Sequence, residues 1–142
     1  SLLLLDWYTA GRCAMGERWV FERYATENRI QIGGRLVALD RLRMDRDDAP
    51  IDGRFAIGRY NCFATVMLVG PAFEDALAGL QDTVRDLPLG QCDPLLVSFS
   101  RLDWGGVLRL AGMGAEPVRA ALAQRLSFVE PMLGCGLWER KW

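Results

Sequence analysis

The first half of the chain reads as strands, with apolar residues in short runs. Leu2–Tyr8 is a near-continuous apolar run of strand length, the pattern of a strand covered on both faces. Trp19–Tyr24 is rich in aromatic residues that suit a pleated surface. Arg29–Ile32 and Arg35–Asp45 flank Gly33-Gly34, so they predict a hairpin closed by a two-residue primed turn. Along its return strand Leu36, Ala38, Leu42 and Met44 share one face, while Arg41 and Arg43 occupy the other. Asp40 falls on the apolar face, where an unpaired carboxylate is costly, so a partner is expected. Asp45–Asp52 (DRDDAPID) reads as a solvated loop; it lacks the Gly and terminal Glu of a calcium loop. A long β-prone run, Phe55–Val69, follows.

Helical periodicity enters after Gly70-Pro71, a helix-start signal. Phe73, Ala76, Leu77, Leu80, Val84 and Leu87 form the stripe of an amphipathic helix, which Pro88 and Gly90 stop. Leu95–Leu102 and Val107–Ala111 read as short strands around a tight turn at Asp103-Trp104-Gly105-Gly106. Pro117 opens a second helix, with Val118, Ala121, Leu122, Leu126 and Val129 on one face, and Pro131 ends it. The expected fold is therefore mainly β with two α-helices: a strand-rich part, 1–58, then a β-α-β-β-α part, 59–142. Taken alone, that second part also fits a ferredoxin-like module that binds a small ligand or self-associates.

Composition narrows the chemistry. The chain has 142 residues, 51% of them hydrophobic, enough for a buried core without disulfide or metal staples. A net charge of −1, with sixteen scattered arginines and a single lysine, Lys141, carries no nucleic-acid signature. No run approaches the ~20 apolar residues of a membrane span. Leu2–Leu5 is too short for a signal peptide, follows no basic residue and is broken by Asp6. Cys13, Cys62, Cys92 and Cys135 form no C-x-x-C pair and read as reduced, small hydrophobes of a cytoplasmic protein. Histidine is absent, which removes Ser-His and Cys-His catalysis and the commonest metal ligand from this chain. No enzymatic site is expected.

One cluster looks specified: Gly11-Arg12-Cys13-Ala14-Met15-Gly16-Glu17. Two glycines between strands predict a turn needing positive φ, and Arg12 and Glu17 flank it as a natural pair. As a phosphate cradle it fails, matching neither G-x-G-x-x-G nor a P-loop. The five tryptophans are too dispersed for one stacking platform and read individually as packing residues. The tail Cys135–Trp142 (CGLWERKW) sets Trp138 and Trp142 beside Arg140, the composition of an interface hot spot, or of a segment docked on its own sheet.

Leu5-Asp6, then Gly11-Arg12-x-Ala14-x-Gly16-Glu17-x-Trp19-x-Phe21, resembles the central signature of the UreD/UreH urease accessory proteins. The hairpin Asn28–Asp40, the strand Phe63–Val69, the helix–strand–strand–helix order and the Arg125–Trp142 end are similar in the same order, so the resemblance spans the whole chain. Family members are about twice this length, and the chain is read as the C-terminal half. The resemblance implies β-helix-like stacked sheets with two helices. It also implies a non-enzymatic scaffold that assembles with a UreF-type protein and a UreG-type GTPase on apo-urease and assists nickel delivery. Asp6, Arg12, Gly16 and Glu17 then become candidates for a polar path or partner contact, with Asp6 and Glu17 as weak nickel candidates. No tightly bound cofactor is implied, nickel being transient, because carboxylates and water hold it more weakly than imidazole.

Overall fold

The computed structural model describes residues 1–54, 56–87 and 93–134. It contains strands β1 (Leu2–Thr9), β2 (Arg23–Ile32), β3 (Arg35–Asp45), β4 (Cys62–Val69), β5 (Leu95–Leu102) and β6 (Gly105–Gly112). Helices α1 (Glu74–Arg85), α2 (Ala115–Arg125) and the short α3 (Val129–Leu133) complete it. The mainly β expectation holds, with one short helix beyond the two expected. A β-helix-like stack stays an implication of the resemblance.

Two compact units form. One joins Ser1–Tyr8 to Cys62–Trp142; the other is the intervening Thr9–Asn61. β1 belongs to the first unit although all of the second separates it from β4 in the chain, because the two strands are neighbours in one sheet. No local pattern announces such a pairing.

In the first unit four strands lie in the order β1-β4-β6-β5. β6 is antiparallel to both β4 and β5, so α1 crosses from β4 to a parallel β5 over the strand between them, a split βαβ arrangement. Cys62, Ala64, Val66 and Leu68 of β4 share a core with Leu108 and Leu110 of β6, Leu77 and Leu80 of α1, and Val118, Ala121 and Leu122 of α2. Leu3, Leu5 and Trp7 extend that core along β1. Glu74 and Asp75 in the first turn of α1 and Arg85 in its last complement the helix dipole, each contributing about 0.3–1 kcal/mol.

In this chain β1 is the half-buried edge strand of the sheet, while β4 is covered on both faces, with Met67 and Val69 buried as well as the helix-facing set. Two expectations for the elements that follow are corrected. The Phe55–Val69 run is strand only from Cys62, preceded by turns. Pro131 does not end α2, which stops at Arg125; it lies inside α3, near its start, where its missing N–H costs nothing.

In the second unit β2 and β3 form the expected hairpin, with Gly33 (φ 55°) and Gly34 (φ 81°) both in the region a primed two-residue turn requires. A bulge between Ile30 and Gln31 breaks the register, and Leu36 beyond it is exposed instead of facing inward with Ala38 and Met44. Asp40 keeps the inward side, half-buried opposite Asn28. Trp19–Tyr24 is not a strand up to Arg23. Trp19 instead turns the chain at φ 54°.

Candidate functional site

The Gly11–Glu17 segment folds into a single 3-10 turn at Cys13–Met15. Gly11 enters at φ 101°, and a Cβ there would sit 3.0 Å from the Glu17 carbonyl oxygen. Gly16 leaves at φ 77° as a left-handed cap, its N–H donating to the Cys13 carbonyl at 3.0 Å. Across this turn Arg12 donates from Nε to Glu17 Oε2 at 2.7 Å and from Nη2 to Oε1 at 2.8 Å. The pair is bidentate but solvated, with Arg12 and Glu17 side chains 75% and 40% exposed. Both glycines and both charges are therefore explained by the turn itself.

Below the turn the chain is fixed at many points. Trp19 is 1% exposed, its backbone N–H reaches the Ala10 carbonyl at 2.8 Å, and its indole Nε1 reaches the Tyr60 carbonyl at 3.3 Å. Phe21 meets its ring edge-on, with centroids 5.9 Å apart. A non-glycine residue in this backbone region costs about 1–2 kcal/mol, which full burial of an indole more than offsets. Arg18 beside it donates to Asn61 Oδ1 and to the Gly58 carbonyl, both at 2.5 Å, and faces Asp52 at 3.4 Å. Arg46 reaches the Trp19 carbonyl at 3.0 Å.

The outcome is a loop with a pinned base and a solvent-facing tip. Met15 is 74% and Val20 61% exposed, and Cys13 is exposed too, contrary to its reading as a core hydrophobe. Cys62 does fit that reading: it is buried, accepts the Trp7 indole N–H at 2.9 Å, and burial pushes its thiol pKa up against that hydrogen bond. Asp6, half-buried on β1, lies on the strand face opposite Leu5 and Trp7, in the other unit from the turn; Arg12 pairs with Glu17. Trp138, Arg140 and Trp142 lie outside the described residues, as do Cys92 and Cys135.

A second charged centre was not expected. Asp45, read as part of a solvated loop, is buried and accepts from Arg23 Nε at 2.6 Å, Arg43 Nη2 at 3.0 Å and the Asp47 backbone N–H at 3.1 Å. The Asp47 N–H, then the two guanidiniums, hold its carboxyl below the usual range. The available signal was Arg43 two residues earlier, on the strand that Asp45 closes. Among the described residues no group of three or more His, Cys, Asp or Glu is placed to hold a metal ion, and no helix is long and apolar enough to cross a membrane. What the turn offers chemically is an exposed apolar residue, Met15, in a short turn closed by an Arg–Glu pair.

Comparison with known proteins supplies the context for that loop. The sequence profile of the UreD urease accessory protein family matches residues 1–141. A urease accessory protein UreD of Sorangium cellulosum is 38% identical over 143 residues, covering 100% of this chain and 45% of the relative. Its counterpart in Anaeromyxobacter is 37% identical, covering 99% and 47%. Urease accessory protein D of Oryza sativa is 27% identical over 162 residues, covering 94% and 51%. The chain thus spans about half the length of the curated relatives it matches. It belongs to the UreD urease accessory protein family.

Proposed function

We propose that the chain is part of a cytoplasmic, non-enzymatic scaffold for urease maturation, which assembles with a UreF-type protein and a UreG-type GTPase on apo-urease and assists nickel delivery. The family match across residues 1–141 is the observation that carries this reading. The Gly11–Val20 loop is its contact candidate. The neighbouring backbone is held by Arg18 and Trp19, so docking there has less main chain to order, while Met15 still loses side-chain rotamer freedom as it is buried. Arg12 and Glu17 supply charged groups in the same turn as Met15, the composition of an interface rim, and Trp138, Arg140 and Trp142 are candidates for a further contact. Nickel is cargo here, and Asp6 and Glu17 are separate candidates for weak oxygen ligands to it.

The test is maturation of apo-urease by the full-length protein, with nickel content and urease activity read together. Met15→Asp and Val20→Asp should fold normally yet lower both readouts, because a charge at the tip opposes docking. Urease that matures equally well without the protein would overturn the reading. Normal maturation by both variants would remove the loop from it.

A further inference from the structure

A groove of about 540 Å³ runs between α1 and the end of α2. Its α1 wall is built from small residues, Ala76, Gly79 and Thr83, with Leu80 and Phe128 adding apolar surface. A Cβ placed on Gly79 would meet nothing within 4 Å, so the groove is open at that point. The Thr83 hydroxyl is engaged with the Leu80 carbonyl at 3.1 Å. Arg125 is not so engaged. Its Nε is buried with no hydrogen-bond partner among the described residues, and its Nη1 reaches the Ala121 carbonyl at a long 3.4 Å. Burial alone lowers its pKa, the direction expected of a guanidinium short of acceptors.

A mainly apolar channel, in which Thr83 and Gln124 are the uncharged polar lining residues and Arg125 the one charged and under-satisfied group, is complementary to an apolar segment that carries one carboxylate. The spacing of Ala76, Gly79 and Thr83 selects its shape. These positions fall on one side of α1, and small side chains there let a second helix approach closely. We infer that this groove receives an amphipathic helix of a protein partner, with an Asp or Glu of that helix set against Arg125. The inference rests on the maturation reading above and names a surface separate from the Gly11–Val20 loop.

The test uses the full-length protein, purified apo-urease and the other purified accessory proteins of the same maturation system. Binding affinity for each is measured alongside melting temperature. Gly79→Leu fills the groove from a helix position where leucine is the better helix former, and Arg125→Met keeps the apolar stem without the charge. Each should weaken binding of one of these proteins about tenfold or more, the scale of a lost charge-assisted hydrogen bond, with melting temperature at or above wild type. Wild-type affinity of both variants for every protein tested overturns the inference and leaves the maturation reading intact. A Gly79→Leu protein with a clearly lowered melting temperature also overturns it, by showing that the chain itself fills the groove; residues 135–142 carry an acid, Glu139. If the wild-type protein binds none of them, both readings fall.

Discussion

Replacing Glu17 by alanine separates the architectural from the contact role of the loop. The change removes two short hydrogen bonds from Arg12, but both side chains are largely solvated, at 75% and 40% exposure. Such pairs contribute about 0–1 kcal/mol, and for a chain of this size 1 kcal/mol moves the melting temperature by roughly 2–4 °C. Trp19→Ala is the matched control in the same loop. Its indole is 1% exposed, and deleting a buried tryptophan costs about 3–5 kcal/mol. The backbone adds an internal check. At φ 54° alanine keeps the left-handed strain that glycine avoids, so Trp19→Gly should be more stable than Trp19→Ala by about 1 kcal/mol, the reverse of the usual order. Denaturant midpoints and urease maturation would be measured on the same preparations. The expected result is near-wild-type stability for Glu17→Ala with reduced maturation, and a large stability loss for both Trp19 variants. The reasoning fails if Glu17→Ala destabilises as much as Trp19→Ala. It also fails if the glycine variant is the weaker of the two. Normal stability with normal maturation in Glu17→Ala would leave the pair as part of a turn and nothing more.

Three further outcomes follow from the same geometry. Because the folded pKa of Asp45 lies below its unfolded value of about 3.8, its contribution is fully present above that value and is lost as pH falls through the lower folded one. Asp45→Asn should therefore be less stable at neutral pH and lose less on acidification; parallel stability–pH curves would contradict this. In peptide mapping after brief treatment with a thiol reagent, Cys13 should be modified and Cys62 spared until the fold opens, since Cys62 is buried and its thiol pKa is raised. Equal rates at the two would refute the burial argument. Nickel added to the purified protein should leave on dialysis, as expected of carboxylate and water ligands; stoichiometric metal surviving a mild chelator would sink the transient-cargo reading.

What the sequence made legible was what local pattern encodes. The Gly33-Gly34 hairpin, the Phe73–Leu80 stripe and the β-α-β-β-α order depend on periodicity and punctuation within a few residues, and the structure has them. Apolar content, in contrast, tells how much a strand will be covered but not which neighbours cover it. Leu2–Leu5 and Cys62–Val69 look alike on that measure, yet the first lies at a sheet edge and the second at its centre, through a pairing that spans the second unit. Asp45 was missed for a related reason: Arg23, 22 residues away, helps bury it. The loop signature shows both limits at once. Gly11, Arg12, Gly16 and Glu17 were readable because each acts on the turn it belongs to. The pinning of Arg18 and Trp19 by Asn61, Gly58 and Tyr60 was not, because it comes from 40 or more residues away. That division has a functional consequence under the proposed reading. The specified positions build and hold the turn, while the exposed tip is Met15, an unspecified position of G-R-x-x-x-G-E, with Val20 just beyond it. A frame of this kind lets the contacting side chains change to suit a partner while the backbone that presents them stays fixed, so partner-specific binding differences should map to the tip and stability differences to the base.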